Sequence, residues 1–307
     1  MSTQALAPAA SDAVPMQEFE AEESIQVIVR IRPLLSHEAG GERLAEEAIE
    51  VEDDKTVYVR SPEASRSVRC RYDAVLGPEA TQDTVYSRMR SCTLSVLDGY
   101  NATIFAYGQT GSGKTHTMFG PPGYHREVGY GQLKVSPMAG VIPRAIHDLF
   151  SGAKREGVRD FQVFVSFTQI YNESLYDMLR DGARSQPLQI REDKTGVFVD
   201  GLSEFAVRGA ADCLALIRMG EENRASRETS MNAFSSRSHS LFQLVVEQRI
   251  EDESGERLLR SKFNLVDLAG SEKWDKRAEM AAAHIGELTK INLSLHTLGR
   301  CIASLAK

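Results

Sequence analysis

One short glycine-rich segment constrains the fold of this chain more than any other part of its sequence. The segment Gly108-Gln-Thr-Gly-Ser-Gly-Lys-Thr115 matches the phosphate-loop pattern GxxxxGK[ST], and it follows an apolar run, Ala102–Tyr107, that reads as a β-strand. Glycines let such a backbone curl until several N–H groups face phosphate oxygens. The segment therefore predicts a fold that binds a nucleoside triphosphate. It does not indicate which base that nucleotide carries.

Every residue of this loop is a candidate ligand of the nucleotide. We expect Lys114 to reach the β- and γ-phosphates and the Thr115 hydroxyl to ligate Mg²⁺. The other candidates in the loop are Gly108, Gln109, Thr110, Gly111, Ser112 and Gly113. A flexible Gly/Ser loop is the alternative interpretation, and the strand that precedes the loop argues against it.

Two later segments have the composition expected of loops that sense the terminal phosphate. Asn232–His239 is dense in short hydroxyls beside Arg237, although a polar loop without function has a similar composition. Further on, an apolar strand ends in Asp267 and is followed by Gly270 and Glu272. An acid at the end of a strand beside a phosphate loop suits Mg²⁺ binding, and a glycine lets its amide approach phosphate closely. The alternative is a strand that ends in an ordinary polar turn.

The segment Asp267-Leu-Ala-Gly270 also fits the DxxG sequence of GTPases. The chain contains no Asn-Lys-x-Asp sequence for reading guanine, and Gly108 lies 159 residues upstream (267 minus 108). Both observations argue against a GTPase. A metabolic phosphate-loop kinase is also disfavoured, because both phosphate-sensing segments are present.

Apolar patterns elsewhere intersperse strands with helices, which predicts an α/β fold. The predicted strands outside the phosphate loop are Ile25–Ile31, Phe161–Ile170, Leu241–Ile250 and Leu259–Leu268. The last two are joined by a polar tip and read as a hairpin. The predicted helices are Thr81–Leu97, with Gly99 as its C-terminal cap, and Leu288–Leu305.

The N-terminal residues 1–23 differ from the rest of the chain. They carry five acidic and no basic side chains and show no apolar period, so we expect a disordered acidic tail. The net charge of the whole chain is -7, which leaves -2 for residues 24–307 (-7 minus -5). No apolar run reaches the length of about 18 residues that a membrane span needs. The four cysteines are scattered, which favours buried, reduced thiols and a reducing cytosol.

Taken together, the motifs resemble those of kinesin motor domains. The resemblance covers about residues 24–307, and the motifs occur in the order of the family. They are Arg30–Pro33, Ile104–Met118, Gln169–Glu173, Ser235–His239, Leu265–Glu272 and Ile291–Leu295 with Leu298-Gly299. Myosins share the phosphate loop and a similar Asn-x-x-Ser-Ser-Arg, but not Ser-Arg-Ser-His followed by Leu-Ala-Gly-Ser-Glu.

The resemblance implies a P-loop NTPase fold with a mixed central β-sheet flanked by helices on both faces. It also implies a microtubule-stimulated ATPase that uses ATP and Mg²⁺, releases ADP and phosphate, and moves along microtubules. Tubulin would then be the partner, with no nucleic acid partner, and the location would be the cytoplasm and the microtubule cytoskeleton. A nucleotide-binding microtubule-interaction module without productive motility remains the alternative.

The resemblance also implies roles for individual residues. Those bordering the adenine would be Arg30, Arg32, Pro33 and, nearby, His116. Switch I would contain Ser235, Ser236 and Arg237, and switch II would contain Asp267, Gly270 and Glu272. The candidate Mg²⁺ ligands are Thr115, Ser236 and Asp267. Arg237 and Glu272 would pair when ATP closes the site, and would then position the attacking water.

Two further expectations concern the filament and the end of the chain. The helix from about Leu288 would be the relay helix that lies against tubulin, and residues 165–205 would include a second microtubule-facing loop. Members of the family continue past the relay helix with another helix, a last strand and a final helix. The resemblance therefore implies a motor domain that is incomplete at residue 307, and we expect this polypeptide alone to be poorly folded or inactive.

Overall fold

The computed structural model describes residues 25–35, 38, 48–60, 67–121, 135–153, 155, 157–180, 186–194, 196–231, 235–252, 255–272 and 282–305. The predicted acidic tail at residues 1–23 lies outside the described residues. Residues 232–234 of the hydroxyl-rich segment also lie outside them.

Strands and helices alternate along the described chain, as the sequence predicted. The strands are β1 Ile28–Arg30, β2 Ile49–Val51, β3 Thr56–Arg60, β4 Ser67–Arg71, β5 Ala74–Leu76, β6 Ala102–Ala106, β7 Val158–Tyr171, β8 Ser174–Asp177, β9 Gln189–Asp193, β10 Gly196–Asp200, β11 Phe205–Val207, β12 Ser238–Asp252 and β13 Gly255–Asp267. The helices are α1 Gln82–Ser87, α2 Arg90–Leu97, α3 Lys114–Met118, α4 Val141–Gly152, α5 Ala210–Met231 and α6 Ala282–Leu305.

A mixed sheet forms the centre of the molecule. Its strand order is β11-β7-β12-β13-β6, and β8 pairs with β7 beside this path. All of these pairs are antiparallel except β13 with β6, which is parallel. Smaller sheets are formed by β1 with β5, by β9 with β10 and by β2-β3-β4.

Helices pack on both faces of the central sheet. Successive residues of a strand point to opposite faces, and Ser238 contacts Arg224 of α5 whereas His239 contacts Ser294 of α6. Helices α5 and α6 therefore lie on opposite faces. This arrangement confirms the α/β class and the helix-flanked mixed sheet that the resemblance implied.

The main core lies between the central sheet and helices α4 and α5. Phe167 of β7 pairs directly with Phe242 of β12, and their rings meet edge to face with centroids 5.4 Å apart. Leu244 and Leu265 continue this apolar surface, and all four side chains are buried. Burial of each such side chain contributes about 1.5–3 kcal/mol, so this face fixes the register of β7, β12 and β13.

The predicted hairpin is confirmed, and a second one is present that the sequence did not indicate. Strands β12 and β13 form one long antiparallel hairpin, in register from Ser240–Asp267 to Asp252–Gly255. The β7–β8 hairpin turns on Asn172 (φ 53°) and Glu173 (φ 66°), the left-handed conformations of a two-residue type I′ turn.

The predicted helix over Thr81–Leu97 is wrong in one respect, since it is two helices. Helix α1 ends at Ser87, α2 begins at Arg90, and the Met89 amide bonds to the carbonyl of Tyr86 at 2.9 Å, three residues back. This tighter bonding breaks the regular helix while leaving Val85 and Val96 buried on a common side. Gly99 follows at φ 95° and caps α2 as predicted.

Helix α6 ends at Leu305 as predicted, but its start departs from expectation. It begins at Ala282, six residues before the predicted Leu288, and Leu305 is 71% exposed although it continues the predicted apolar face. Ile291 on the same face is buried. Among the cysteines, Cys213 is buried, but Cys301 of α6 is exposed, which corrects the expectation of buried thiols.

Candidate nucleotide-binding site

The sheet topology brings the three predicted phosphate-sensing segments to one edge. Parallel strands β6 and β13 end side by side, with Ala106 opposite Asp267, so that the phosphate loop and switch II both begin there. Strand β12 runs antiparallel to β13 and places Ser240 opposite Asp267. The turn at Ser235–Arg237, which leads into β12, therefore lies at the same edge.

The phosphate loop folds into a curl that depends on glycine. Gly111 (φ 78°) and Gly113 (φ 96°) adopt left-handed conformations that other residues reach only with strain. Helix α3 then begins at Lys114. The Lys114 ammonium donates to the carbonyl oxygen of Gln109 at 2.9 Å, so its charge lies over the loop. Burial lowers the pKa of Lys114, although the charges of Asp267 and Glu272 oppose this shift.

Backbone hydrogen bonds join the loop to both switches. The Gly270 amide donates to the carbonyl of Ser236 at 2.7 Å, and the Ser271 amide donates to the carbonyl of Gly108 at 3.1 Å. A Cβ at position 270 would overlap the Glu272 carboxylate and lie 2.5 Å from the Thr110 hydroxyl. A side chain at position 270 would therefore require the Glu272 carboxylate and the Thr110 hydroxyl to move from this arrangement.

The Glu272 carboxylate lies on the phosphate loop. One oxygen accepts from the Thr110 amide at 2.9 Å, and the other accepts from the Thr110 hydroxyl at 2.5 Å. Partial burial acts to raise the pKa of Glu272, but these hydrogen bonds and the Lys114 charge outweigh it and hold the pKa below its ordinary value. The carboxylate is therefore ionised in neutral solution and occupies donors that could otherwise bind a phosphate oxygen.

Thr115 and Asp267 supply an oxygen pair of the kind that Mg²⁺ prefers. The Thr115 hydroxyl donates to Oδ2 of Asp267 at 2.6 Å. Oδ1 of the same carboxylate is buried and, within the described part of the chain, has no hydrogen-bond partner. Burial raises the pKa of Asp267, opposed by the Thr115 hydrogen bond and the charges of Arg224 and Lys114. A hydroxyl, a carboxylate and an unsatisfied oxygen fit a hard cation that also keeps water and phosphate ligands.

Gln82 connects two of the residues predicted to border the base, Arg30 and His116. Arg30 donates to Oε1 of Gln82 at 3.0 Å and to the Thr117 hydroxyl at 2.9 Å. The Gln82 amide in turn donates to the carbonyl of His116 at 2.7 Å and lies 3.2 Å from its Nδ1. Burial, aided by the Arg30 charge, lowers the pKa of His116. Gln82 was not predicted, although a polar residue three positions before Val85, on the predicted apolar face of the helix, was the available signal.

Arg32 is held by a residue that the sequence did not single out. Its guanidinium forms a bidentate pair with Glu38 at 2.7 and 2.6 Å, and its Nε donates to the carbonyl of Gly111 at 2.8 Å. It also donates to the carbonyl of the adjacent Pro33. The hydrogen bond to Glu38 raises the pKa of Arg32. The positions of Arg32 and Pro33 beside the phosphate loop agree with their placement in one site, and their contact with a base stays a prediction.

The structure thus brings most of the predicted site residues together. Their catalytic, nucleotide-binding and Mg²⁺-binding roles stay predictions, as does the pairing of Arg237 with Glu272. Within the described residues, no cluster of three or more His, Cys, Asp and Glu side chains could hold a metal. None of the described helices combines the length and the apolar character needed to cross a membrane.

Comparisons with known proteins give one consistent result. The family described as "Kinesin motor domain" matches residues 30–307. "Kinesin-like protein KIF11-B" of Xenopus laevis is 40% identical, with 92% of this chain and 27% of the relative covered. "Kinesin-like protein KIN-7G" of Oryza sativa subsp. japonica is also 40% identical, with 97% of this chain and 30% of the relative covered. The chain thus spans less than a third of the length of these curated relatives.

A solved structure is similar to most of this chain. It is titled "Structure of a fast kinesin: Implications for ATPase mechanism and interactions with microtubules", and it matches with a TM-score of 0.72 at 32% identity. The match covers 88% of this chain and 72% of the solved chain. Sequence and structure therefore point to the same family.

Proposed function

This chain belongs to the kinesin motor-domain family, and from that premise we propose that it is a microtubule-stimulated ATPase. In this proposal it hydrolyses ATP to ADP and phosphate and couples the reaction to movement along microtubules. The activity of the whole protein is part of the proposal, because the chain covers only 27% and 30% of the two relatives compared above.

The observation that carries the proposal is the contact of three separated segments around one loop. Switch II reaches the phosphate loop through Glu272 and Thr110, and it reaches switch I through the Gly270 amide and the Ser236 carbonyl. If switch II were only a strand that ends in an ordinary polar turn, none of these contacts would be needed. Segments that touch each other and the phosphate loop can all respond to one γ-phosphate.

Nucleotide binding would fall to the phosphate loop and to the residues at its rim. Residues 108–115 would hold the phosphates, with Lys114 between the β- and γ-phosphates. Arg30, Arg32, Pro33 and His116 would border the adenine, with Gln82 fixing Arg30 and His116 relative to each other.

The candidate Mg²⁺ ligands are the hydroxyls of Thr115 and Ser236 and the carboxylate of Asp267. When bound, Mg²⁺ would neutralise charge on the β- and γ-phosphates. The Asp267 carboxylate would hold the Thr115 hydroxyl in place, as it does through their 2.6 Å hydrogen bond.

Hydrolysis would depend on positioning, because phosphoryl transfer to water needs alignment and charge stabilisation more than a strong base. For ATP to enter, the Glu272 carboxylate must leave Thr110, and the Gly270 amide must exchange the Ser236 carbonyl for a phosphate oxygen. Glu272 would then be available to pair with Arg237 and orient the attacking water beside Ser235 and Ser236. Loss of phosphate would restore the contacts seen here.

The proposed filament contacts are helix α6 and a loop within residues 165–205, and the proposed location is the microtubule cytoskeleton of the cytoplasm. Helix α6 contacts the switch I strand through His239 and Ser294, so a shift of the switches can reach it. We propose no nucleic acid partner, and nothing in the site specifies an oligomeric state.

The decisive experiment replaces Glu272 in the full-length protein. We expect Glu272→Ala to bind ATP, because its carboxylate competes for the Thr110 donors, and to hydrolyse it at least about 100-fold more slowly. The measurements are nucleotide affinity and phosphate release with and without microtubules. Glu50→Ala, on the exposed β2 strand, is the matched control and should behave as wild type.

The same measurements on wild type and on Lys114→Ala distinguish the proposal from its alternatives. Normal phosphate release by Glu272→Ala would contradict the switch assignment. Wild-type protein that binds nucleotide and microtubules but shows no microtubule-stimulated release would favour the interaction module without motility. Failure of Lys114→Ala to weaken nucleotide binding would contradict the site itself.

A further inference from the structure

His239 is a buried side chain with no part in nucleotide binding or hydrolysis in the proposed function, although it contacts helix α6. It is 7% exposed and is the second residue of β12, directly after the switch I turn. Its neighbour Ser238 points to the opposite face of the sheet, toward Arg224 and Gln169. His239 is therefore the first residue of β12 whose side chain lies on the α6 face.

The ring of His239 bridges switch II to α6. Its Nδ1 accepts a hydrogen bond from the Ala269 amide at 3.1 Å. Its Nε2 lies 2.8 Å from the Ser294 hydroxyl. The Ser294 hydroxyl in turn donates to the carbonyl of Ile291 at 2.7 Å, within the same helix.

These partners fix the direction of every hydrogen bond. A backbone amide can only donate, so Nδ1 carries no proton and Nε2 must carry it and donate to Ser294. Only the neutral ring satisfies both neighbours, because a protonated ring would direct an N–H at the Ala269 N–H. Burial, aided by the charges of Arg224 and Lys114, lowers the pKa of His239 to about 4, so the neutral ring predominates at neutral pH.

The bridge begins next to the residue that must move. Ala269 immediately precedes Gly270, whose amide now bonds to the Ser236 carbonyl. Ala269 is fully buried and Ile291 is 5% exposed, so the path between switch II and α6 crosses packed protein. A displacement of Gly270 toward a phosphate must therefore carry the Ala269 amide with it and either pull His239 along or break its hydrogen bond.

We propose that His239 is a positioning residue that transmits the state of switch II to helix α6 through Ala269 on one side and Ser294 on the other. The inference deepens the proposed function and rests on it. His239 touches neither nucleotide nor water in this role. It makes the position of α6 depend on whether the Gly270 segment faces Ser236 or a phosphate.

The test compares hydrogen exchange in two segments of the same protein with and without a non-hydrolysable ATP analogue and Mg²⁺. Protection of residues 108–118 reports nucleotide binding, and the exchange of residues 282–305 reports the response of α6. In wild type we expect the analogue to protect the first segment and to change exchange in the second at least twofold.

Ser294→Ala is the principal variant, because it removes the acceptor of Nε2 and leaves the histidine ring in place. We expect it to keep the protection of residues 108–118 and to lose at least half of the α6 response. Ser294→Thr retains a hydroxyl and should restore the response. Ser304→Ala is the matched control and should leave the response unchanged. Among the described residues, the Ser304 hydroxyl donates to the Arg300 carbonyl in the same helix.

A second variant replaces the histidine itself. His239→Asn keeps an acceptor for the Ala269 amide but is too short to reach Ser294, so it should lose the α6 response as Ser294→Ala does. A second measurement is the affinity for microtubules, determined once with the ATP analogue and once with ADP. The ratio of these two affinities should be at least fivefold closer to 1 in both variants than in wild type.

Distinct results would overturn the inference. An α6 response in Ser294→Ala equal to that of Ser304→Ala would refute the coupling role. A loss of thermal stability in which both segments lose protection together, with no rescue by Ser294→Thr, would assign Ser294 a structural role only. Wild-type protein without protection of residues 108–118 would instead contradict the proposed function, and this inference would fall with it.

Discussion

Gly270 occupies the point where the phosphate loop and both switches meet, and its missing side chain is what permits the contact. Its amide bonds to the Ser236 carbonyl, and its Cα faces the Glu272 carboxylate and the Thr110 hydroxyl. The backbone at this residue has no left-handed conformation to demand glycine. The requirement is therefore one of space, and an added methyl group tests it directly.

We expect Gly270→Ala to bind nucleotide with an affinity within about threefold of wild type, because the phosphate-loop donors are unchanged. Its ATP turnover should fall by about 100-fold, since the methyl group keeps the amide away from the position of a γ-phosphate oxygen. Steady-state phosphate release and equilibrium nucleotide binding measure the two effects. Gly209→Ala, where an added Cβ meets nothing within 4 Å, is the control. Equal turnover in both variants would refute the close approach at Gly270.

The buried ring of His239 predicts a pH dependence of stability. Its pKa is about 4 in the folded protein and about 6.5 when unfolded, so the unfolded chain binds more protons between these values. The stabilising contribution is complete above pH 6.5 and is lost as the pH falls toward 4. From pH 7.5 to pH 4.5, the free energy of unfolding of wild type should fall by about 2–3 kcal/mol more than that of His239→Gln. Denaturant unfolding at several pH values measures this, and parallel profiles would contradict it.

At the scale of elements, helix α5 packs on the sheet through a glycine. A Cβ built at Gly220 would overlap the ring of Phe167, whereas a Cβ at Gly299 of α6 would meet nothing within 4 Å. Both residues lie inside helices, where alanine is favoured over glycine by about 1 kcal/mol. Alanine substitutions at the two positions therefore separate the effect of helix propensity, which acts at both, from the effect of packing, which acts only at Gly220.

We expect Gly220→Ala to lower the free energy of unfolding by about 1–2 kcal/mol, because overpacking against Phe167 exceeds the gain in helix propensity. Gly299→Ala should raise it by up to about 1 kcal/mol, since only the propensity term acts there. Chemical denaturation of the two variants and wild type gives both values. A stabilised Gly220→Ala protein would mean that α5 does not sit this close to β7.

The sequence predicted elements where local pattern decides them. The β12–β13 hairpin and the strand before the phosphate loop follow from alternation and apolar runs, and Gly99 caps α2 as expected. Beside the break between α1 and α2, the Tyr86 hydroxyl bonds to Thr93 and to Asp148 of α4, and no local pattern encodes those partners. The early start of α6 at Ala282 was missed because the apolar period begins only at Leu288.

The residues of the candidate site also fall into those that the sequence predicted and those that it did not. The phosphate loop and the acids near Asp267 were predictable because each motif carries its chemistry in a short segment. Gln82 and Glu38 were missed because they act through residues distant in sequence: Gln82 through His116 and Glu38 through Arg32. The occupation of Thr110 by Glu272 could not be predicted either, since it joins residues 162 positions apart.

On the scale of the whole molecule, bound nucleotide would connect parts of the chain that the sheet order keeps apart. Strand β6 carries the phosphate loop, and β13 next to it carries switch II. Strand β12, on the far side of β13, carries switch I. A ligand that contacts all three at one edge should stabilise the fold as a unit.

Nucleotide should therefore raise the thermal midpoint of the protein. At 100 times its dissociation constant, a ligand of the native state adds about 2.7 kcal/mol, which corresponds to about 4–5 °C for a domain of this size. We expect this shift with ADP and Mg²⁺, a smaller one when EDTA removes the metal, and none with Lys114→Ala at the same nucleotide concentration. Lys262→Ala, on the surface of β13 away from the loop, should shift as wild type does. Scanning fluorimetry at constant protein concentration gives the midpoints. An unchanged wild-type midpoint at saturating nucleotide, or an equal shift in Lys114→Ala, would mean that the edge formed by β6, β13 and β12 does not bind nucleotide through this loop.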